Sequence, residues 1–159
     1  MPTMAKFASK TTVSSEKSKQ EIERILTRYG AEEFLYGVRP DCAIVAFKMM
    51  GRNIRFNLPL PDRNSTEFTE YMRGSSCWER TPEAAGKMYE QAIRQKWRAL
   101  ALVIKAKLEA VESEITDFED EFLAHIVLPG GQTMGQIAKP QIAIAYESGE
   151  MPTLLEHLT

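Results

Sequence analysis

Apolar and polar positions change their rhythm repeatedly along this chain, and each change predicts a new element. After a polar stretch rich in Lys, Ser and Thr, the residues Ile22, Ile25 and Leu26 recur at helical spacing, with Ser14 or Ser15 as N-cap, Glu16 in the first turn and Gly30 closing the helix after "RYGA". Residues 1 to 13 read as a flexible arm carrying Lys6 and Lys10.

From residue 32 to residue 62 the period becomes alternation. "EEFLYGV", "CAIVAFKMM" and "RNIRFNLPL" predict three strands separated by the turn signals "RPD" and "MGRN". In the third strand Ile54, Phe56 and Leu58 share one face and Asn53, Arg55 and Asn57 the other, and Pro59 and Pro61 end it. Residues 62–80 have little apolar periodicity and read as a long loop, with Phe68, Tyr71 and Trp78 set among Arg63, Arg73 and Arg80. Phe34, Tyr36, Phe47, Phe56 and Trp97 occupy positions suited to the core, whereas the three loop aromatics are expected to be freer.

Helical spacing returns and lasts. Thr81 as N-cap and Pro82 at the first helical position start a long helix over 82–123, with Tyr89, Ile93, Trp97, Leu100, Ile104, Leu108, Val111 and Ile115 as its apolar stripe. Its middle, "ALALVI", is apolar nearly all round, which implies cover from a second helix or a homodimer partner. Residues 124–159 read as a C-terminal extension: a short "AHIVL" strand, a "PGG" turn, a last helix ending at Gly149 that Pro140 starts or kinks, and a packed amphipathic tail "MPTLLEHL". The expected fold is α+β, one domain over 14–159, with a small antiparallel sheet of three or more strands packed on a long amphipathic helix.

Composition narrows the function more than the fold. A chain of 159 residues, 43% hydrophobic and 26% charged, suits one globular domain. Its formal charge of −2 argues against a histone-like coat, so any nucleic-acid contact must come from a local patch. No apolar run is long enough to span a membrane, and no apolar signal core opens the chain, so the expected location is the cytoplasm of a bacterial host. Cys42 and Cys77 lack metal-type spacing and are expected to be unpaired thiols; a zinc site would need them to converge with His125 and His157.

A local basic patch is available. Lys87, Arg94, Arg98 and Lys105 fall along one edge of the long helix, and Arg52, Arg55 and Arg63 line the third strand and its ends. As a binding surface these cations would track phosphates, with Tyr71 or Trp78 stacking on an unpaired base. As ordinary surface they would form pairs such as Glu90 with Arg94, and Arg55 would protect the sheet against strand pairing. The acidic run "ESEITDFEDEF" supplies Asp117, Asp120 and Glu121 on one helical side with His125 four residues on, but reads better as a solvated helix end than as a metal site. There is no nucleophile elbow and no phosphate-binding loop motif; an arginine beside Cys77 favours a lowered thiol pKa, yet neither histidine has the context of a base. No catalytic residue, metal ligand or cofactor is assigned.

The order helix, three strands, long helix resembles that of the double-stranded RNA-binding domain over about residues 14 to 115, although "TPEAAGKMYEQ" offers only Lys87 where that family carries a lysine cluster. The segments "YGAEEFLYG", "GRNIRFNLPLPDR", "RQKWRALALVIKAKLEAVES" and "FLAHIVLPGGQTMGQIAKPQIAIAYESGEMPTLL" resemble small phage and prophage proteins without an established activity. That resemblance implies a mobile-element setting and no site residue. The leading expectation is a non-catalytic phage accessory protein that binds nucleic acid through Arg52, Arg55, Arg63, Lys87, Arg94 and Arg98. The alternatives are a protein-binding inhibitor of a host factor, such as a defence nuclease, and a small metal-dependent nuclease.

Overall fold

Ser14 caps the first helix, its side chain accepting a hydrogen bond from the Lys17 amide at 3.2 Å, and α1 runs Ser15–Arg28. The computed structural model describes Ala8 and residues 10 to 150; the expected packing of "MPTLLEHL" and most of the expected arm, including Lys6, lie outside the described residues. Gly30, at φ +89°, lets the chain leave α1 in a left-handed conformation that a side chain would resist. Three antiparallel strands follow in sequence order: β1 Glu33–Val38, β2 Cys42–Met49 and β3 Arg52–Pro59.

Register decides the two faces of this sheet. Phe34 stands opposite Phe47, Val45 opposite Phe56, and Ala43 opposite Leu58, and these side chains share the inner face. Leu35, Ala46 and Arg55 are aligned on the outer face. Ala43, Val45, Phe47, Ile54, Phe56 and Leu58 are buried against Ile22, Ile25 and Leu26 of α1 and against Trp97, Leu100, Ile104 and Leu108 of α3, which runs Pro82–Glu112. The long amphipathic helix therefore packs on the sheet with α1 alongside it. Leu102 is half-buried and Val103 remains 44% exposed, so α1 covers only part of the "ALALVI" midsection.

The long helix is shorter than the expected 82–123. It stops at Ser113, Glu114 takes a left-handed φ of +56°, and Asp117 caps a separate short helix, α4 (Phe118–Phe122), by accepting from the Asp120 amide at 2.8 Å. The break turns Ile115, expected on the stripe, out to 79% exposure. In exchange it folds Phe118 and Phe122 under the sheet, where Phe122 meets Phe47 and Phe56 edge to face.

Residues 62–80 are not a plain loop. They hold a single helical turn, α2 (Thr66–Thr69), and a two-stranded hairpin, β4 (Glu70–Arg73) with β5 (Ser76–Glu79). The expected "AHIVL" strand is a 3-10 turn over Leu123–His125 followed by single bridges from Ile126 to Ile54 and from Val127 to Thr133. The chain thereby runs along the open edge of β3. The "PGG" turn then returns the chain through hydrogen bonds between Leu128 and both Gln132 and Gly131.

Thr133 and Gln136 form a capping box that starts α5 (Met134–Ser148), and Gly149 closes it. Pro140 lies inside this helix, removing one backbone donor. A side chain at position 135 would put its Cβ 2.8 Å from the Ala124 carbonyl oxygen, so glycine is what lets α5 approach the 3-10 turn.

Candidate partner-binding surfaces

The sheet separates cations that alternation alone left free to converge. Arg55 lies on the outer face, as its alternation predicts, but is half-buried there and donates to Gln136 of α5 at 3.0 Å, so the C-terminal extension covers part of it. Arg94 and Arg98 belong to the helix layer on the other side. Arg52 pairs with Glu119 at 2.5 Å, Lys87 with Glu83 at 2.9 Å, and Arg98 with Glu21 of α1. Lys105 is exposed and has no carboxylate partner among the described residues. Two of the four cations of the expected stripe, Lys87 and Arg98, are thus paired with the chain's own acids, while Arg94 and Lys105 are not.

One of the expected residues, Arg94, is nevertheless brought beside two cations, Lys19 and Arg39, that alternation and helical phase did not single out. A cleft of about 670 Å³ lies between the start of α1, the turn between β1 and β2, and the first half of α3, and its lining includes Lys19, Arg39, Glu90 and Arg94. Arg63 packs over the ring of Tyr89, another lining residue, at 5.4 Å. The Glu90 and Arg94 ion pair expected from i,i+4 spacing does not form. Arg94 donates instead to the neutral Gln91 Oε1, from Nε at 3.1 Å and Nη2 at 2.7 Å. Lys19 has a carboxylate, Glu16, at 2.8 Å and lies over the rings of Tyr36 and Trp97.

The second surface is the hairpin, and its construction starts with two anchors. Phe68, expected to be free, is buried and meets Tyr89 edge to face. The Arg80 guanidinium donates through Nη1 to the carbonyl oxygens of Glu67 and Phe68, each at 3.1 Å, and of Glu70. Beyond these anchors the strand residues lie outside the core. Tyr71 stands opposite Trp78 and Arg73 opposite Ser76, which places all four on one face, with Met72 and Cys77 on the other. Trp78 is 54% and Met72 65% exposed.

Several groups with nucleophilic or metal-binding potential are otherwise engaged. The Cys77 thiol donates to Glu70 Oε2 at 3.1 Å, and that hydrogen bond raises its pKa above the ordinary thiol value, the reverse of activation by a neighbouring arginine. Both cysteines are free of disulfides. Asp117 is a helix cap, Glu119 holds Arg52, and Glu121 holds Lys107 at 2.9 Å. Among the described residues no group of three or more His, Cys, Asp or Glu side chains is placed to hold a metal ion, and no helix is long and apolar enough to cross a membrane.

His125 is the titratable group most affected by packing. Its ring stacks on Phe56 with centroids 4.0 Å apart, and burial, with smaller contributions from Lys107 and Lys139, lowers its pKa against a raising hydrogen bond with the Arg55 backbone. The unfolded chain takes up this proton first, so the stabilisation from neutral His125 is complete above the ordinary histidine value of about 6.5 and is lost as pH falls through the lower folded value. The urea midpoint should therefore drop more between pH 7.5 and pH 5 in the wild type than in His125→Gln. Parallel pH profiles for the two would contradict this.

Comparison with protein-family models, with curated proteins and with solved structures finds no match to this chain.

Proposed function

We propose that this chain is a non-catalytic binding protein that engages a protein partner through the β4 and β5 hairpin. The supporting observation is the exposed Tyr71 and Trp78 face, bordered by Arg73 and Arg80 and held in place by Phe68 and the Arg80 carbonyl clamp. A two-stranded ribbon is marginal in water by itself, so anchoring it in advance reduces the ordering cost of association. Trp, Tyr and Arg are the residue types that dominate interface energetics. The arginines suit an acidic rim on the partner; the setting proposed is that of a phage, in which the partner class is a host factor such as a defence nuclease.

Nucleic-acid binding through Arg52, Arg55, Arg63, Lys87, Arg94, Arg98 and Lys105 has thinner support, because Arg52, Lys87 and Arg98 are held by carboxylates and Arg55 lies across the sheet from Arg94. The Cys77 thiol, engaged by Glu70, is not activated as a nucleophile. The test is affinity capture from nuclease-treated bacterial lysate, followed by titration of the purified partner. A stoichiometric protein should be retained, and Trp78→Ala should weaken it about 30-fold or more, the effect of a hot-spot residue, with the urea midpoint unchanged. Capture that Trp78→Ala leaves intact, or capture that nuclease abolishes, defeats the reading. Light scattering of the free chain in the same series reads whether a second copy associates with the first.

A further inference from the structure

We infer that the cleft between α1 and α3 binds a nucleoside phosphate. Its volume of about 670 Å³ falls in the range of roughly 300–1,000 Å³ typical of small-molecule sites. Guanidiniums reach it from separate elements, Arg39 from the turn after β1 and Arg94 from α3. Arg39 has no carboxylate partner among the described residues. Arg94 is oriented by Gln91, whose Nε2 in turn donates to the Thr11 carbonyl oxygen at 2.9 Å. A neutral acceptor aims a guanidinium without cancelling its charge, which is the opposite of what Glu21 does to Arg98 farther along the same helix. Two planar, fully charged forks in one concave site match the oxygens of a phosphate group.

The rest of the lining selects what carries the phosphate. Glu16 and Glu90 also line the cleft; Glu16 is paired with Lys19 at 2.8 Å, whereas Glu90 makes no ion pair among the described residues. Its carboxylate opposes a bare polyanion, but it accepts hydrogen bonds from sugar hydroxyls, as acidic residues do at ribose sites. Tyr89 and Ile93 supply a partly apolar wall for a flat base. An anionic head, a hydroxylated middle and a flat end together describe a nucleoside phosphate. The site shares neither Trp78 nor Arg73 with the hairpin, so it stands independently of the protein-partner reading.

The test is calorimetric titration of the full chain, at fixed ionic strength, with AMP, with inorganic phosphate and with a 5′-phosphorylated tetranucleotide. AMP should saturate one site and bind about 10-fold or more tightly than inorganic phosphate. Arg39→Gln and Arg94→Gln should each weaken AMP about 10-fold, the loss of one charge-assisted contact, while Lys139→Gln changes nothing. Tetranucleotide binding at least as tight as AMP assigns the phosphate to a strand end, and weaker binding assigns it to a free nucleotide. The inference is overturned by the lack of saturable AMP binding up to about 10 mM, or by binding that both arginine variants retain in full while their urea midpoints match the wild type.

Discussion

Phe122→Ala is expected to lower the free energy of unfolding by about 3–5 kcal/mol, a large part of the roughly 5–15 kcal/mol that a domain possesses. Phe122 is completely buried, with its ring edge to face with Phe47 and Phe56 and 4.8 Å from that of Phe118. Lys107 adds a cation 5.8 Å from the same ring while binding the Glu121 side chain and carbonyl oxygen. A helix of five residues has almost no stability of its own, so these rings are what hold α4 in place. The variant should therefore loosen more than its own cavity. Val127, whose amide donates to the Asn53 carbonyl at 2.8 Å just beyond α4, should lose exchange protection along the β3 edge. Urea denaturation and hydrogen exchange check both statements; a loss below about 1 kcal/mol would show that α4 is an appendage rather than part of the core.

Ser113 to Asp117 contains no glycine or proline, and the left-handed residue is Glu114, so the only local mark of the break is Asp117, an N-cap residue type followed by acids in the first turn of α4. The drive comes from burying Phe118 and Phe122 under the sheet, a tertiary effect that overrides helix propensity. Where local and tertiary demands agree, the pattern is transparent: β2 alternates half-buried and buried through all its length, and Trp97, Leu100, Ile104 and Leu108 occupy the stripe that helical spacing marks. The hairpin over residues 70 to 79 fails for the opposite reason. With both faces outside the core it has no apolar alternation to read, and only the Gly74 turn at φ +65° hints at it.

The binding surfaces are legible only in part for a related reason. Helical phase correctly places Lys87, Arg94 and Arg98 on α3, but it says nothing about the acids that reach them from elsewhere, and Glu21 of α1 takes Arg98. Lys19 and Arg39 come from a helix and a turn with no shared motif, so their meeting with Arg94 is a product of folding. Arg55 shows the limit of alternation. The period of two assigns it to the outer face, yet Gln136 of α5 reaches it there and leaves it half-buried.

Arg80→Ala is expected to release the hairpin while leaving the rest of the fold in place. One guanidinium nitrogen serves the Glu67, Phe68 and Glu70 carbonyls, the plane of the same group lies 5.6 Å over Tyr71, and the Arg80 amide donates to the Thr69 carbonyl at 2.6 Å. Alanine keeps the amide bond and removes the rest. Hydrogen bonds to a charged group contribute about 1.5–3 kcal/mol, so hairpin amides should exchange about 10- to 100-fold faster. Local opening of this kind leaves the global transition nearly unchanged, because Phe68 still docks on Tyr89 and no strand residue of the hairpin belongs to the core. Partner affinity should then fall even though Tyr71 and Trp78 are intact, since the partner must order the ribbon as it binds. Arg80→Lys, which restores a charge but not the fork, should recover little of it. Unchanged exchange in the hairpin of Arg80→Ala would locate the clamp elsewhere, whereas fast exchange with full partner affinity would show that the aromatic face acts without being held in advance.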